Sequence, residues 1–287
     1  MPMYGVFKTV LIMSLFGLCA GVVLLAVKPF TAKKLPAVWQ YCAWCTVLVL
    51  MVVPIYKLIP SIEARKIAAL PQNTQTTAEL PQTQTAAGGG TVGTDDTKMP
   101  DEPVQTKIPE KRSIRWFELA VYVWLGGTVI FLTIIAASYF VYIHRKRKCA
   151  VAVSDCEMLE DVRRELNIKR SIRIKMSADT VSPMLVGVFF PTVFLPCRKI
   201  PEENMRMVLL HEFTHCKRRD LAVKWFGVFV NAVHWFNPAA YLICANLSEA
   251  CEMSCDAEVT KNMSDEEKKL YMKTMLDLIE EKRRKNV

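Results

Sequence analysis

Three stretches of this chain are long and apolar enough to leave water: Val6 to Val27, Val38 to Ile59 and Phe117 to Ile143. About 20 apolar residues in a helix cross the hydrocarbon core of a bilayer, and a backbone inside lipid must satisfy its own hydrogen bonds. The three runs therefore predict three transmembrane helices. A basic soluble enzyme or a nucleic-acid binder would account for the formal charge of +9, but not for a chain that is 52% hydrophobic. The first run reads as a span rather than a cleaved leader, because no basic segment precedes it and Lys28, Lys33 and Lys34 follow it.

Charge beside the spans sets the expected orientation. Those three lysines follow the first span, and His144-Arg145-Lys146-Arg147-Lys148 follows the third. With three spans both flanks share one side, and the positive-inside rule puts that side in the cytoplasm. Arg65, Lys66, Lys111 and Arg112 on the other side act against this. The expectation is a multi-pass protein of the cell membrane. Residues 1–60 hold two spans and a short basic loop, and 113–143 the third span. Residues 61–112, rich in Thr, Gln, Pro and Gly, form an extracytoplasmic tether that lacks the apolar content to build a core. The ten scattered cysteines suit reduced thiols, and Cys42 with Cys45 has CxxC spacing inside a span, where redox chemistry is not expected.

Residues 144–287 read as a compact cytoplasmic α+β domain. Asp155 to Leu166 has helical periodicity; Ile172, Ile174 and Met176 alternate with Arg173 and Lys175 as in a strand; Pro191 to Leu195 reads as its partner. Pro201 with Glu202 and Glu203 opens a helix, proline suiting its first turn and the acids its positive end. Asp220 and Asn237 are placed to cap the two helices that follow. The run Leu221 to Leu247 is apolar but broken at Asn237-Pro238, so a helical hairpin is expected rather than two further spans.

The helix opened by Pro201 carries His211-Glu212-Phe213-Thr214-His215. Two histidines four apart leave one helix face a turn apart and can both ligate Zn²⁺. Glu212, beside the first, can take the proton of a water acidified by the metal, the chemistry of peptide hydrolysis. HExxH also arises by chance. Here it follows the apolar Met207-Val208-Leu209-Leu210, and it uses two of the chain's four histidines. Catalytic zinc takes three protein ligands plus water. Glu252 is the foremost third donor, with Asp256 one turn on to orient a ligating imidazole. Glu249, Cys251 and Cys255 are rivals. His234 reads first as a packed or capping residue and second as a stabiliser of the transition state.

In five ordered blocks the chain resembles the BlaR/MecR-type antirepressor membrane metallopeptidases. The blocks are Ser182-Pro183 with Val186-Gly187; Phe194-Leu195-Pro196; HExxH with Arg218-Arg219-Asp220; His234-Trp235-Phe236-Asn237-Pro238; and Glu252-Met253-Ser254-Cys255-Asp256. The resemblance implies a gluzincin-like zinc site of His211, His215 and Glu252, with Glu212 as base. It also implies that the substrate is the protein itself or a cytoplasmic repressor, such as a winged-helix protein, with no direct nucleic-acid binding. One feature departs from the family pattern. No Ser-x-x-Lys motif followed by a penicillin-binding domain is present, and the sequence ends at Val287 in a charged helix. A fragment or a sensorless branch is expected, and β-lactam sensing is not carried over. The competing readings are a quality-control or processing protease and a zinc-stabilised scaffold. Glu212 argues against the scaffold, since a structural site has no use for a base.

Overall fold

The structure, a computed structural model, describes residues 2–31, 34–54, 116–148, 150–152, 157–198 and 200–285. In chain order it comprises α1 (Pro2–Thr31), α2 (Ala37–Leu50), α3 (Trp116–Lys148), β1 (Ala150–Ala152), α4 (Glu157–Glu165), β2 (Arg173–Ser177), β3 (Met184–Val186), β4 (Thr192–Pro196), α5 (Glu202–Arg218), α6 (Asp220–Val233), α7 (Pro238–Val259), a 3-10 turn (Thr260–Asn262) and α8 (Asp265–Lys285).

Among the described residues, two helices are long and apolar enough to cross a membrane, Gly5–Thr31 within α1 and Trp116–Lys148. Leu15, Phe16, Val22 and Val23 on the first, and Tyr122, Ile130, Ile134 and Phe140 on the second, point outward. α2 has 14 residues, about 21 Å at 1.5 Å per residue and short of the ~30 Å hydrocarbon core. The rest of the second apolar run, and the tether expected at 61–112, lie outside the described residues.

The sheet has the order β1-β2-β4-β3. β2 and β4 pair in parallel with Ile174 opposite Val193, and the outer pairs are antiparallel. β4 is buried along its whole length, as a strand covered on both faces must be. β1 and β3 have three residues each, too few for an alternating pattern to register in the sequence. The turn between β3 and β4 bends at Gly187, whose φ is 87° and where a Cβ would meet the Phe190 carbonyl oxygen at 2.5 Å, so only glycine fits.

Two cores hold the described residues together. In one, Ile174, Val193 and Leu195 of the sheet pack on Val162 of α4, Val208, Leu209 and Phe213 of α5 and Tyr271 of α8. In the other, Trp44, Val47, Leu48 and Met51 meet Val230, Ala240, Ile243 and Leu247 of α6 and α7. The α6 and α7 part of residues 144–287 therefore packs on α2. The α6–α7 hairpin forms as the sequence suggests, but it lies among the N-terminal helices because its apolar faces find their partners there. Its tip is tied to two of them. Trp124 Nε1 donates to the Val233 carbonyl at 2.8 Å and Trp235 Nε1 to the Trp124 carbonyl at 3.2 Å. Asn237 Nδ2 donates to Ser14 Oγ at 2.7 Å, while Asn237 Oδ1 caps α7 by accepting from the Ala239 N–H. Gly127 leaves room for Trp235, since a Cβ there would lie 2.5 Å from the indole.

Candidate metal centre

α5 is built to hold a rigid site. Glu202 and Glu203 sit at its positive end, and Met207, Val208, Leu209, Leu210 and Phe213 are buried. Arg219, left-handed at φ 59°, ends it and starts α6 at once with Asp220. His211 and His215 leave the same face, and α7 brings Glu252 to them. His215 Nε2 lies 3.2 Å from His211 Nε2 and 3.2 Å from Glu252 Oε2. His211 Nε2 lies 3.6 Å from the same oxygen. A tetrahedral ion with bonds of about 2.0–2.2 Å sets its donors about 3.3–3.6 Å apart. These three atoms therefore have the spacing of one face of a zinc site.

The outer nitrogens of both rings are held. His215 Nδ1 meets Asp220 Oδ2 at 2.7 Å, and Asp220 also pairs with Arg218 Nε at 3.3 Å. His211 Nδ1 lies 2.7 Å from the Tyr271 hydroxyl, which donates to Asp256 Oδ1 at 2.6 Å. Asp256 is itself 3.3 Å from His211 Nδ1, so it reaches the ring both directly and through Tyr271. Lys224 Nζ donates to Glu252 Oε1 at 2.8 Å, which leaves Oε2 turned to the imidazoles. Glu212 lines a cavity of about 580 Å³ with His211, His215, Lys224, Glu252 and Asp256. Ser182 to Leu185, leading into and along β3, and Met275, Leu278 and Ile279 of α8 form its rim.

Burial raises the Glu212 carboxyl above the usual carboxylate range, although both imidazoles pull it down. Burial alone would lower His211, but its hydrogen bonds to Asp256 and Glu252 outweigh this and push it up to about 10. His215 is raised against the effect of its burial, chiefly by Asp220. Burial disfavours the ionised Glu252, Asp220 and Asp256, yet bonds to the imidazoles hold all three below the ordinary range. The cluster is a set of carboxylates and imidazoles that share protons, as metal-binding groups do before an ion displaces them.

The structure brings His211, Glu212, His215, Glu252 and Asp256 together. It does not bring His234 to them. That side chain is fully buried and its Nε2 bonds the Met51 carbonyl at 2.9 Å. A stabiliser of developing charge must face the reacting group, and this ring faces the end of α2 instead, so His234 packs the helix junction. Glu249 points away to Lys28 at 2.7 Å. Cys255 can be grouped with His211 and His215, and Cys251 with His215 and Asp220; the Cys255 thiol is directed at the His211 carbonyl, 3.7 Å away. Sequence reasoning missed three contributors. Tyr271 sits on a helix face that reads as ordinary core, and Lys224 lies in an apolar run. Asp220 was read as a helix cap and as part of the resemblance, but Arg219 holds the cap position with no side-chain cap bond, and the Asp220 carboxylate serves His215 instead; its place directly after the HExxH helix was the available signal.

Regulatory protein BlaR1 of Bacillus licheniformis is 29% identical over 171 residues, covering 57% of this chain and 28% of that protein. The Staphylococcus aureus methicillin resistance mecR1 protein is 29% identical over 111 residues, 38% of this chain and 19% of that protein. Regulatory protein BlaR1 of Staphylococcus aureus is 19% identical over 187 residues, 62% of this chain and 32% of that protein. The chain thus spans less than a third of the length of these relatives. The family model described as BlaR1 peptidase M56 matches residues 8–287, and the chain belongs to that family of metallopeptidases.

Proposed function

We propose that the chain is a membrane-bound zinc endopeptidase of regulatory role, with three spans and its catalytic half in the cytoplasm. The observation that carries this reading is the convergence of His211 Nε2, His215 Nε2 and Glu252 Oε2 within 3.2–3.6 Å of one another, on a cavity that Glu212 also lines. Those three residues are the proposed ligands. When bound, zinc supplies Lewis acidity, polarising a scissile carbonyl and acidifying a water.

The chain's own residues do the rest. Asp220 and the Tyr271–Asp256 pair keep the proton of each imidazole on Nδ1, so each Nε2 presents a lone pair. Lys224 holds Glu252 by one oxygen and frees the other. Glu212 accepts a proton from the attacking water and returns it to the leaving amine, a role helped by a carboxyl raised by burial. β3 is the last strand of the sheet and adjoins the cavity, so an extended peptide can align along its outer edge. The proposed substrates are the protein itself or a cytoplasmic repressor of the winged-helix type. Relatives named as regulatory proteins support that role over general degradation.

The test is Glu212→Gln in the full chain. Zinc content stays at the wild-type level because neither histidine is touched. Cleavage falls about 10²–10⁴-fold, the usual contribution of a positioned base. Unchanged cleavage removes Glu212 from the mechanism.

A further inference from the structure

Asp220 is 1% exposed, and a buried carboxylate needs its oxygens satisfied. Oδ2 faces His215 Nδ1 at 2.7 Å and Arg218 Nε at 3.3 Å. Oδ1 has a different partner, the hydroxyl of Tyr41, which donates to it at 3.1 Å. Tyr41 lies on α2, 179 residues earlier in the sequence. The Arg218 guanidinium stands over the Tyr41 ring, 5.0 Å from its centroid. One phenol therefore serves the carboxylate twice, as donor to Oδ1 and as support for the cation beside Oδ2.

We propose, on the zinc reading above, that Tyr41 is a positioning residue for the metal centre. By pinning Asp220 Oδ1 it keeps Oδ2 on His215 Nδ1, so a helix of the membrane bundle sets how tightly zinc is held. The physical step is rotation of the carboxylate. Without the phenol hydroxyl, Oδ1 is buried without that donor, and the group turns to recover a partner. The His215 bond lengthens as it turns. That bond selects the tautomer able to bind metal, so the loss appears in zinc affinity more than in the fold.

The geometry around the site is consistent with such a coupling. Lys28 at the end of α1 bonds Asn246 and Glu249 on α7 at 2.9 and 2.7 Å, within two turns of Glu252. Lys146 near the end of α3 pairs with Asp179 at 3.3 Å, in the segment leading to β3. Among these contacts only that of Tyr41 reaches a residue that touches a proposed ligand.

The experiment uses the full chain in detergent micelles, with Zn²⁺ and Co²⁺ alone as probes. Affinity is read by competition with a chromophoric chelator, geometry by the visible spectrum of the cobalt form, and fold by the thermal midpoint without metal. Tyr41→Phe is expected to weaken zinc about tenfold, the low end of what outer-shell partners contribute. It is also expected to alter the cobalt spectrum and leave the midpoint in place. Tyr241→Phe, which removes a hydroxyl bonded to the Trp235 carbonyl at 3.0 Å, binds zinc as wild type does. In an Asp220→Asn background, Tyr41→Phe costs nothing further, because both changes break one chain of contacts. Wild-type affinity and spectrum in Tyr41→Phe, or full additivity with Asp220→Asn, overturns the proposal. If Tyr41→Phe also lowers the midpoint, Tyr41→Gln decides: tighter zinc than in Tyr41→Leu supports the role of the donor, and equal affinity refutes it. His215→Ala separates the two levels. Zinc held as tightly without His215 sinks the zinc reading itself, whereas zinc that depends on His215 but not on Tyr41 sinks only this inference.

Discussion

Replacing Glu252 by alanine removes the carboxylate oxygen that lies 3.2 and 3.6 Å from the two imidazole nitrogens. It also removes the carboxylate that Lys224 holds at 2.8 Å. Taking structural zinc sites as the scale, binding is worth about 10–16 kcal/mol in apparent free energy. Divided among three protein ligands and a water, that is roughly 2.5–4 kcal/mol for each donor. At 1.4 kcal/mol per tenfold, Glu252→Ala should weaken zinc by roughly two to three orders of magnitude. Lys224 adds little to this, since it is 38% exposed and water can take up its charge. Glu249→Ala is the matched control, one turn away on the same helix. Its carboxylate is 56% exposed and pairs with Lys28, a surface contact worth about 0–1 kcal/mol that lies outside the donor cluster, so zinc affinity stays put. Equilibrium dialysis of the purified chain with metal analysis reads both values. Wild-type affinity in Glu252→Ala refutes the reasoning, as does an equal loss in Glu249→Ala. A large loss in Cys255→Ser with Glu252→Ala unaffected would move the third donor to sulfur.

Protons supply a second check. Without metal, hydrogen bonds to the neighbouring carboxylates push His211 up to about 10 and raise His215 as well, so the cluster holds protons at pH 7. Zinc binding, which needs neutral rings, should therefore release protons, measurable by calorimetry in buffers of different ionisation enthalpy; no release refutes the pairing. A folded pKa above the unfolded value of about 6.5 stabilises fully below that value and loses its effect as pH rises through the folded one. The metal-free chain should accordingly lose stability between pH 7 and 10, and a flat thermal midpoint across that window would contradict the assignment. For orientation, a tag after Val287 should resist added protease in intact cells and be cut once they are opened; cutting in intact cells places the catalytic half outside.

The readable parts of the chain were those with long or repeated signals. α1 and α3 followed from apolar length, α5 from Pro201 and its acidic first turn, and α7 from Asn237-Pro238. β2 and β4 followed from alternation and an apolar run. The histidines and Glu212 were legible because helical spacing converts directly into a shared face. Glu252 was legible as one of several donors, and its placement rests on how α7 folds back, which no local pattern encodes. Tyr41 and Tyr271 were invisible for the same reason. Each sits on an apolar helical face, and its hydroxyl gains meaning only from a partner far away in sequence. His234 shows the converse, since a conspicuous residue in a conspicuous block turns out to pack a junction.

The hairpin of α6 and α7 also governs when the site comes into existence. Glu252 follows His215 by 37 residues, and the chain between them must turn at Trp235 before α7 can return. Val230, Ala240, Ile243 and Leu247, all at most 2% exposed, have their packing partners on α2. A nascent chain makes α1 and α2 first, so the seat for the hairpin exists before the hairpin does. Until that seat is filled, Glu252 on α7 has no fixed place beside the two histidines that α5 holds on one face. On the proposed membrane reading, seating of the hairpin on α2 is a maturation step for the site, and a copy with α2 displaced should carry the motif without the centre.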